Sequence, residues 1–249
     1  VGGNTEQRSQ LRDVLLQMNA LGGSMIDSSP MYGTSEAVVG DLTRSLPIAN
    51  DFFYATKVWT NGKRAGIDQM HASMRKMQRK QMDLMQIHNL VDWKTHLKTL
   101  RDWKAEGKIR YFGFTHYTND SHDTLAKLIK QEQPDFVQFN YAINDRHAEQ
   151  NLLNTAKDNG TAVIINRPYN GGNLFRLVKG KELPEWCGDL DIQSWGQYFL
   201  KYILSHNAVN CVIPGTSKVK HVIDNMGAGY GRLPNNKERQ MMLDYVANI

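Results

Sequence analysis

Cysteine is nearly missing from this 249-residue chain. Cys187 and Cys211 form no CxxC pair and no disulfide framework, so cysteine usage points to no redox compartment. No apolar run approaches the ~18 residues of a membrane span, which predicts a soluble protein with no membrane partner. No signal peptide opens the sequence, and Val1 is not an initiator methionine, which leaves upstream processing or truncation open. A cytoplasmic location is expected, or a periplasmic one if a leader was removed. The eight histidines lack metal-ligand spacing, so no metal site is expected and a metal-dependent hydrolase is disfavoured. No Gly-x-Ser-x-Gly elbow supports another kind of hydrolase. Long runs of one charge are absent too. Net charge is +5, and the densest basic cluster, Arg75, Lys76, Arg79 and Lys80, reads as the solvated face of a helix. No nucleic-acid motif accompanies it, and no nucleic-acid partner is expected.

What is present is a repeat of short apolar strands and amphipathic helices. Hydrophobic residues make up 41% of the chain, enough for a large core. Candidate strands are 24–28, 52–58, 84–88, 109–115, 136–140, 162–166 and 209–214, and their near-continuous apolar character suits parallel strands buried on both faces. Candidate helices are 5–21, 67–79, 94–106, 121–130, opened by a Ser121 cap, and 144–159, closed at Gly160. Residues 171–191 read as an extended loop. Gly2-Gly3 and Gly22-Gly23 read as turns. With no composition shift to mark a linker, residues 1–249 are expected to form one domain. The fold expected is α/β, a (β/α)₈ TIM barrel, which typically needs about 250 residues. Only seven strands are visible and a helix precedes the first, so the first barrel strand is expected to be missing from this chain, through disorder or removal. An open doubly wound sheet is the alternative, but it would normally show a glycine-rich turn, and no GxGxxG occurs.

Four polar residues fall at or just past the carboxyl ends of three successive strands, where barrel loops converge on one pocket. They are Asp27, Tyr32, Lys57 and His88. Each has a plainer reading, as a turn cap, a surface aromatic, a costly buried lysine or a core histidine. Together they suit carbonyl chemistry. A phenol is a poor acid at neutral pH unless a neighbouring cation favours phenolate. Lys57 fits that part, held by the Asp27 carboxylate. His88 can donate to a carbonyl oxygen, and Tyr32 can protonate that oxygen as hydride arrives at carbon. Side chains cannot supply hydride, so a cofactor is required. Trp59, just past Lys57, reads as a wall of the substrate pocket or as a rim aromatic that only packs.

The stretch from Asp27 through Tyr32-Gly-x-Ser-Glu36 resembles the first signature of the aldo-keto reductases, and Thr56-Lys57 and Asp83…His88 resemble the next two. The resemblance covers nearly the whole chain. It implies an NADPH-dependent reductase of aldehyde or ketone carbonyls, with Asp27, Tyr32, Lys57 and His88 catalytic and a small-molecule carbonyl as substrate. A slow nucleotide-binding regulatory protein on the same barrel is the alternative. The resemblance also implies a cofactor set. Thr115-His116 stand where the family carries Ser-Asn, and Gln138 stands at the carboxamide glutamine. Arg167 or Tyr169 would replace a stacking tyrosine. Gly215, Thr216, Ser217, Lys218, His221 and Asn225 fall in the adenosine-phosphate segment, where His221 aligns with the usual 2′-phosphate arginine and Lys220 lies nearby. The cations there predict NADPH over NADH.

Overall fold

A computed structural model describes residues 4–249, so Gly2 and Gly3 lie outside the described residues. The described chain opens on helix α1 (Thr5–Ala20), and seven strands follow, ordered β1 to β7 in chain sequence. Among the described residues no strand precedes α1, in keeping with the expected seven. No helix among them is long and apolar enough to cross a membrane. The chain forms two compact units. The first holds the chain up to His116 with Pro134–Phe136 and Ser217–Val219. The second holds Tyr117–Gln133, Val137–Thr216 and Lys220–Ile249.

In the first unit α1 is followed by β1 (Met25–Asp27), α2 (Ser35–Arg44), β2 (Phe53–Val58), α3 (Lys63–Lys76), β3 (Met82–His88), α4 (Trp93–Ala105) and β4 (Ile109–Thr115). The Asn4 side chain accepts from the Gln7 amide at 2.8 Å and caps α1. Gly22, at φ 85°, closes it in the left-handed turn that glycine adopts without strain. The strands pair in parallel, with Asp27 beside Ala55, Lys57 beside Gln86 and His88 beside Thr115. The strands are buried toward their carboxyl ends, as a parallel sheet covered on both faces requires, while near the start of β4 Arg110 is exposed and Tyr111 half-buried. Helix α2 was not expected. α3 starts and stops earlier than its apolar spacing predicts, because Gly62 opens it and Gln78 turns left-handed at φ 55°. Arg79 then packs its guanidinium 4.0 Å over the Tyr54 ring, so the basic cluster is not wholly a solvated face.

The second unit contains β5 (Phe136–Asn140) from Val137 onward, α5 (His122–Glu132), α6 (Leu152–Asp158), β6 (Ala162–Asn166), α7 (Asn173–Leu177), α8 (Trp195–Leu204), β7 (Cys211–Val212), α9 (Val219–Gly227) from Lys220, and α10 (Asn236–Ala247). Three expectations need correction. Ser121 does not cap α5, because its hydroxyl donates to the Thr118 carbonyl at 2.6 Å. The helix expected over 144–159 is only α6. Ahead of it Asp145 and Glu149 are drawn into tertiary hydrogen bonds, and the backbone makes a bridge and one 3₁₀ turn. Residues 171–191 are not one extended loop but carry α7 and a 3₁₀ helix at Glu185–Leu190. Gly160, at φ 68°, ends the α6 segment as expected.

Candidate active site

The site grows from the ends of β1, β2 and β3. Lys57 sits in a strand whose neighbours are buried, so its ammonium is removed from water and must find partners. It donates to Asp27 Oδ2 at 2.6 Å and to the Ser28 carbonyl at 2.7 Å. The other Asp27 oxygen accepts from Gln86 Nε2 at 3.0 Å. An ammonium has three donors, and the two hydrogen bonds of Lys57 leave the third without a partner among the described residues. Tyr32 follows in the turn after β1, with its ring centroid 5.1 Å from Lys57 Nζ. Tyr32 is 45% exposed, so this phenol faces outward from a buried charge pair. Thr56, next to Lys57, donates to buried Glu36 at 2.6 Å and ties α2 to β2.

His88 completes the group. Its ring lies edge-on to Tyr32 with centroids 6.1 Å apart, and the Trp59 ring is 6.5 Å away. Its Nδ1 meets the Ser29 hydroxyl at 3.0 Å. Burial, with the Lys57 ammonium and His116 adding, lowers the imidazole to about 4. His88 is therefore neutral at physiological pH. The structure thus gathers Asp27, Tyr32, Lys57, His88 and Trp59 in one cluster. Thr115 is buried beside His88 in the register, and His116 follows it. Sequence reasoning missed Ser29 and Gln86. Neither could be identified without knowing which side chains the strands bring side by side.

In the second unit Gln138 is buried on β5, and Asn166 donates to its Oε1 at 3.5 Å. Arg167 takes a left-handed backbone at φ 51° and lays its guanidinium 4.7 Å over the Tyr117 ring. Tyr169 donates to Asn225 Oδ1 at 2.6 Å and packs its ring against Phe175 at 4.7 Å. Its phenol is raised above the usual range by burial, with Asp224 contributing. That bond holds the Asn225 amide with its oxygen toward Tyr169. Near the start of α9, Thr216 Oγ1 and His221 Nδ1 lie 3.4 Å apart. Gly215, Ser217, Lys218, Lys220 and His221 are exposed.

A chain so built is similar to proteins of known kind. It is 26% identical to aldo-keto reductase str7 of Strobilurus tenacellus, over 91% of this chain and 78% of that protein. It is 27% identical to the NADH-specific methylglyoxal reductase of Escherichia coli, over 69% of this chain and 60% of that protein. The crystal structure of an aldo/keto reductase from Klebsiella pneumoniae in complex with NADP and acetate superposes with a TM-score of 0.83, at 22% identity, over 99% of this chain and 88% of that one. That likeness gives the fold, the (β/α)₈ barrel of these reductases. The model of the aldo/keto reductase family matches residues 2–241, so the chain that sets Lys57, Asp27, Tyr32 and His88 side by side belongs to that family of oxidoreductases.

Proposed function

We propose that this protein reduces aldehyde or ketone carbonyls to alcohols with NADPH, and that Tyr32 supplies the proton. The observation that carries the proposal is the buried Lys57 ammonium, held by Asp27 at 2.6 Å, with one donor unspent and the exposed Tyr32 ring 5.1 Å away. A cation at that place offsets the negative charge that develops on the phenol oxygen as its proton leaves. His88 donates a hydrogen bond to the carbonyl oxygen and orients it. The Tyr32 proton passes to that oxygen as the carbonyl carbon gains hydride, giving the alcohol and a phenolate beside Lys57. Tyr32 is exposed enough for solvent to return the proton.

When bound, the nucleotide supplies the hydride that side chains cannot. The residues after β7 fit such a ligand. A Cβ at Gly215 would meet nothing within 4 Å, so the backbone there is open to close approach. Thr216 and Ser217 bring hydroxyls and Lys218 a charge just ahead of the N-terminus of α9, a combination suited to phosphate. Thr115 is proposed as a cofactor-binding residue in the first unit, and Gln138 and Arg167 as cofactor-binding residues in the second. Residues 1–249 are proposed to act as one domain, for which one calorimetric unfolding transition is expected and two separable ones would count against it.

Tyr32→Phe tests the assignment. The variant should lose on the order of 10² to 10⁴ in turnover while keeping its affinity for NADPH in a fluorescence titration. Methylglyoxal is the first substrate to try, since a bacterial relative is named for it. That relative is also named NADH-specific, so both nucleotides belong in the assay. Near-wild-type turnover by Tyr32→Phe would move the proton to another group. Tight NADPH binding with no turnover across an aldehyde and ketone panel would favour the nucleotide-binding regulatory reading.

A further inference from the structure

Ser29 belongs to none of the residues the motifs single out, yet it is fully buried and hydrogen-bonded to the imidazole of His88. We propose that Ser29 is a positioning residue that fixes His88 in its Nε2–H tautomer, so that the ring presents a hydrogen-bond donor to the substrate oxygen. This rests on the proposed function only in naming what the donor meets.

The tautomer follows from counting donors and acceptors. The Ser29 oxygen already accepts from the Met31 amide at 3.2 Å. Its hydroxyl hydrogen needs an acceptor, and the partner the structure offers is His88 Nδ1, at 3.0 Å. A buried hydroxyl without an acceptor pays the desolvation of that group with no return. The hydroxyl therefore donates and Nδ1 accepts. A neutral imidazole that accepts at one nitrogen carries its hydrogen on the other. The opposite arrangement, Nδ1–H donating to Ser29, strands the hydroxyl hydrogen and leaves Nε2 a bare lone pair, which would repel a carbonyl oxygen. The imidazolium fails as well. It would again donate from Nδ1 and strand the Ser29 hydroxyl hydrogen, and it would add a second cation close to the Lys57 ammonium. Both groups sit on rigid supports: His88 ends β3, and Ser29 starts a turn in which its carbonyl accepts from the Tyr32 amide at 3.0 Å. One residue thus orients the imidazole through its side chain and the Tyr32 turn through its backbone.

Nitrogen-15 NMR of histidine-labelled protein reads the tautomer directly, without turnover. In wild type, the far-downfield resonance of an unprotonated ring nitrogen should fall on His88 Nδ1, with the proton on Nε2. Ser29→Ala should mix the two tautomers. It should also lower kcat about ten- to hundredfold, the size found when the partner that orients a metal-bound imidazole is removed, with NADPH affinity kept. Ser29→Thr, which retains a hydroxyl, should restore the wild-type resonance pattern. Wild-type His88 protonated at Nδ1, or an unchanged Nε2–H pattern in Ser29→Ala, would overturn the proposal. If Ser29→Ala does not fold, Ser29→Gly carries the same comparison, and a wild-type His88 protonated at Nδ1 overturns the proposal without any variant. Full turnover by Tyr32→Phe would defeat the proposed function but leave the tautomer result standing.

Discussion

Two cation clusters, a buried one in the first unit and a part-buried one in the second, are built to opposite ends. In the first, Lys57 makes two hydrogen bonds, to Asp27 and the Ser28 carbonyl, and keeps one donor unspent beside an exposed phenol. In the second, Arg239 donates to Glu149 at 3.0 Å, to the Tyr141 hydroxyl at 3.0 Å, to Ser205 at 2.7 Å and to the Tyr202 carbonyl, while its guanidinium lies 4.1 Å over the Tyr202 ring. Tyr141 and Tyr202 also donate to the same Glu149 oxygen, at 2.5 and 2.8 Å. The Arg239 cluster spends its hydrogen-bonding capacity on protein and joins α10 to α8 and to the segment before α6. Burying a charge is costly in either place. In one the return is a fixed packing of helices; in the other a cation is held beside an exposed phenol, the proposed proton donor.

Removing each cation should separate the two uses. Lys57→Met is expected to lower turnover most, by about 10² to 10⁴, since the proposed proton donor loses its neighbouring cation. It also leaves Asp27 buried without its cation, so thermal unfolding belongs beside the kinetic assay. A variant that folds and turns over at the wild-type rate would erase the distinction drawn here. Arg239→Met should do the reverse. Glu149 is only partly buried, so a loss of about 2–3 kcal/mol is expected, at or below the low end for breaking a buried pair. Denaturant titration measures it, and kcat per folded molecule should stay near wild type. Tyr141→Phe in the same cluster removes one hydroxyl and should cost about 1–2 kcal/mol.

The two units also differ in how they treat histidine. His88 is lowered to about 4 by burial, Lys57 and His116. Because its folded value lies below the unfolded one, its neutral form, and the stability that goes with it, is fully present above pH 6.5 and declines as pH falls toward 4. The acid limb of kcat/KM should therefore break near pH 4, unless another group fails first, and His88→Gln should remove that limb. A break near 6.5 would mean an ordinary solvated imidazole. His122, in the second unit, is likewise lowered, mainly by burial. It meets His147 Nδ1 at 3.0 Å and Asn140 Oδ1 at 3.0 Å, in a network of packing groups outside the proposed reaction. Its protonation should appear in stability rather than in kcat.

The smallest effect is expected at Lys218. An exposed lysine meeting one phosphate is screened by water and salt. Lys218→Ala should therefore weaken NADPH binding by no more than about tenfold while leaving NADH unchanged. A preference for NADPH that survives intact would shift the contact to Lys220 or His221. Equal affinities for both nucleotides in wild type would remove the basis for the preference.

The sequence by itself determined the strand succession and the candidates for chemistry. Parallel strands covered on both faces must be apolar along their length, so β4, β5 and β6 could be bounded to the residue. Polar residues at strand ends are conspicuous against that background, which made Asp27, Lys57 and His88 legible, and Tyr32 followed from its place in the next turn. Short or atypical elements escaped. α8 is buried nearly throughout, and its polar residues Gln197 and Lys201, one turn apart, meet protein partners rather than solvent. β7 has only two paired residues, Cys211 and Val212. The segment before α6 reads as helix until Asp145 and Glu149 find partners distant in sequence. Tertiary structure alone decided which side chains meet. The parallel register put Gln86 beside Lys57, within reach of Asp27, and the turn after β1 put Ser29 against His88. No local pattern encodes such pairs, because a hydrogen bond between residues 59 apart depends on where two strands end in space, not on what lies next to either in the chain.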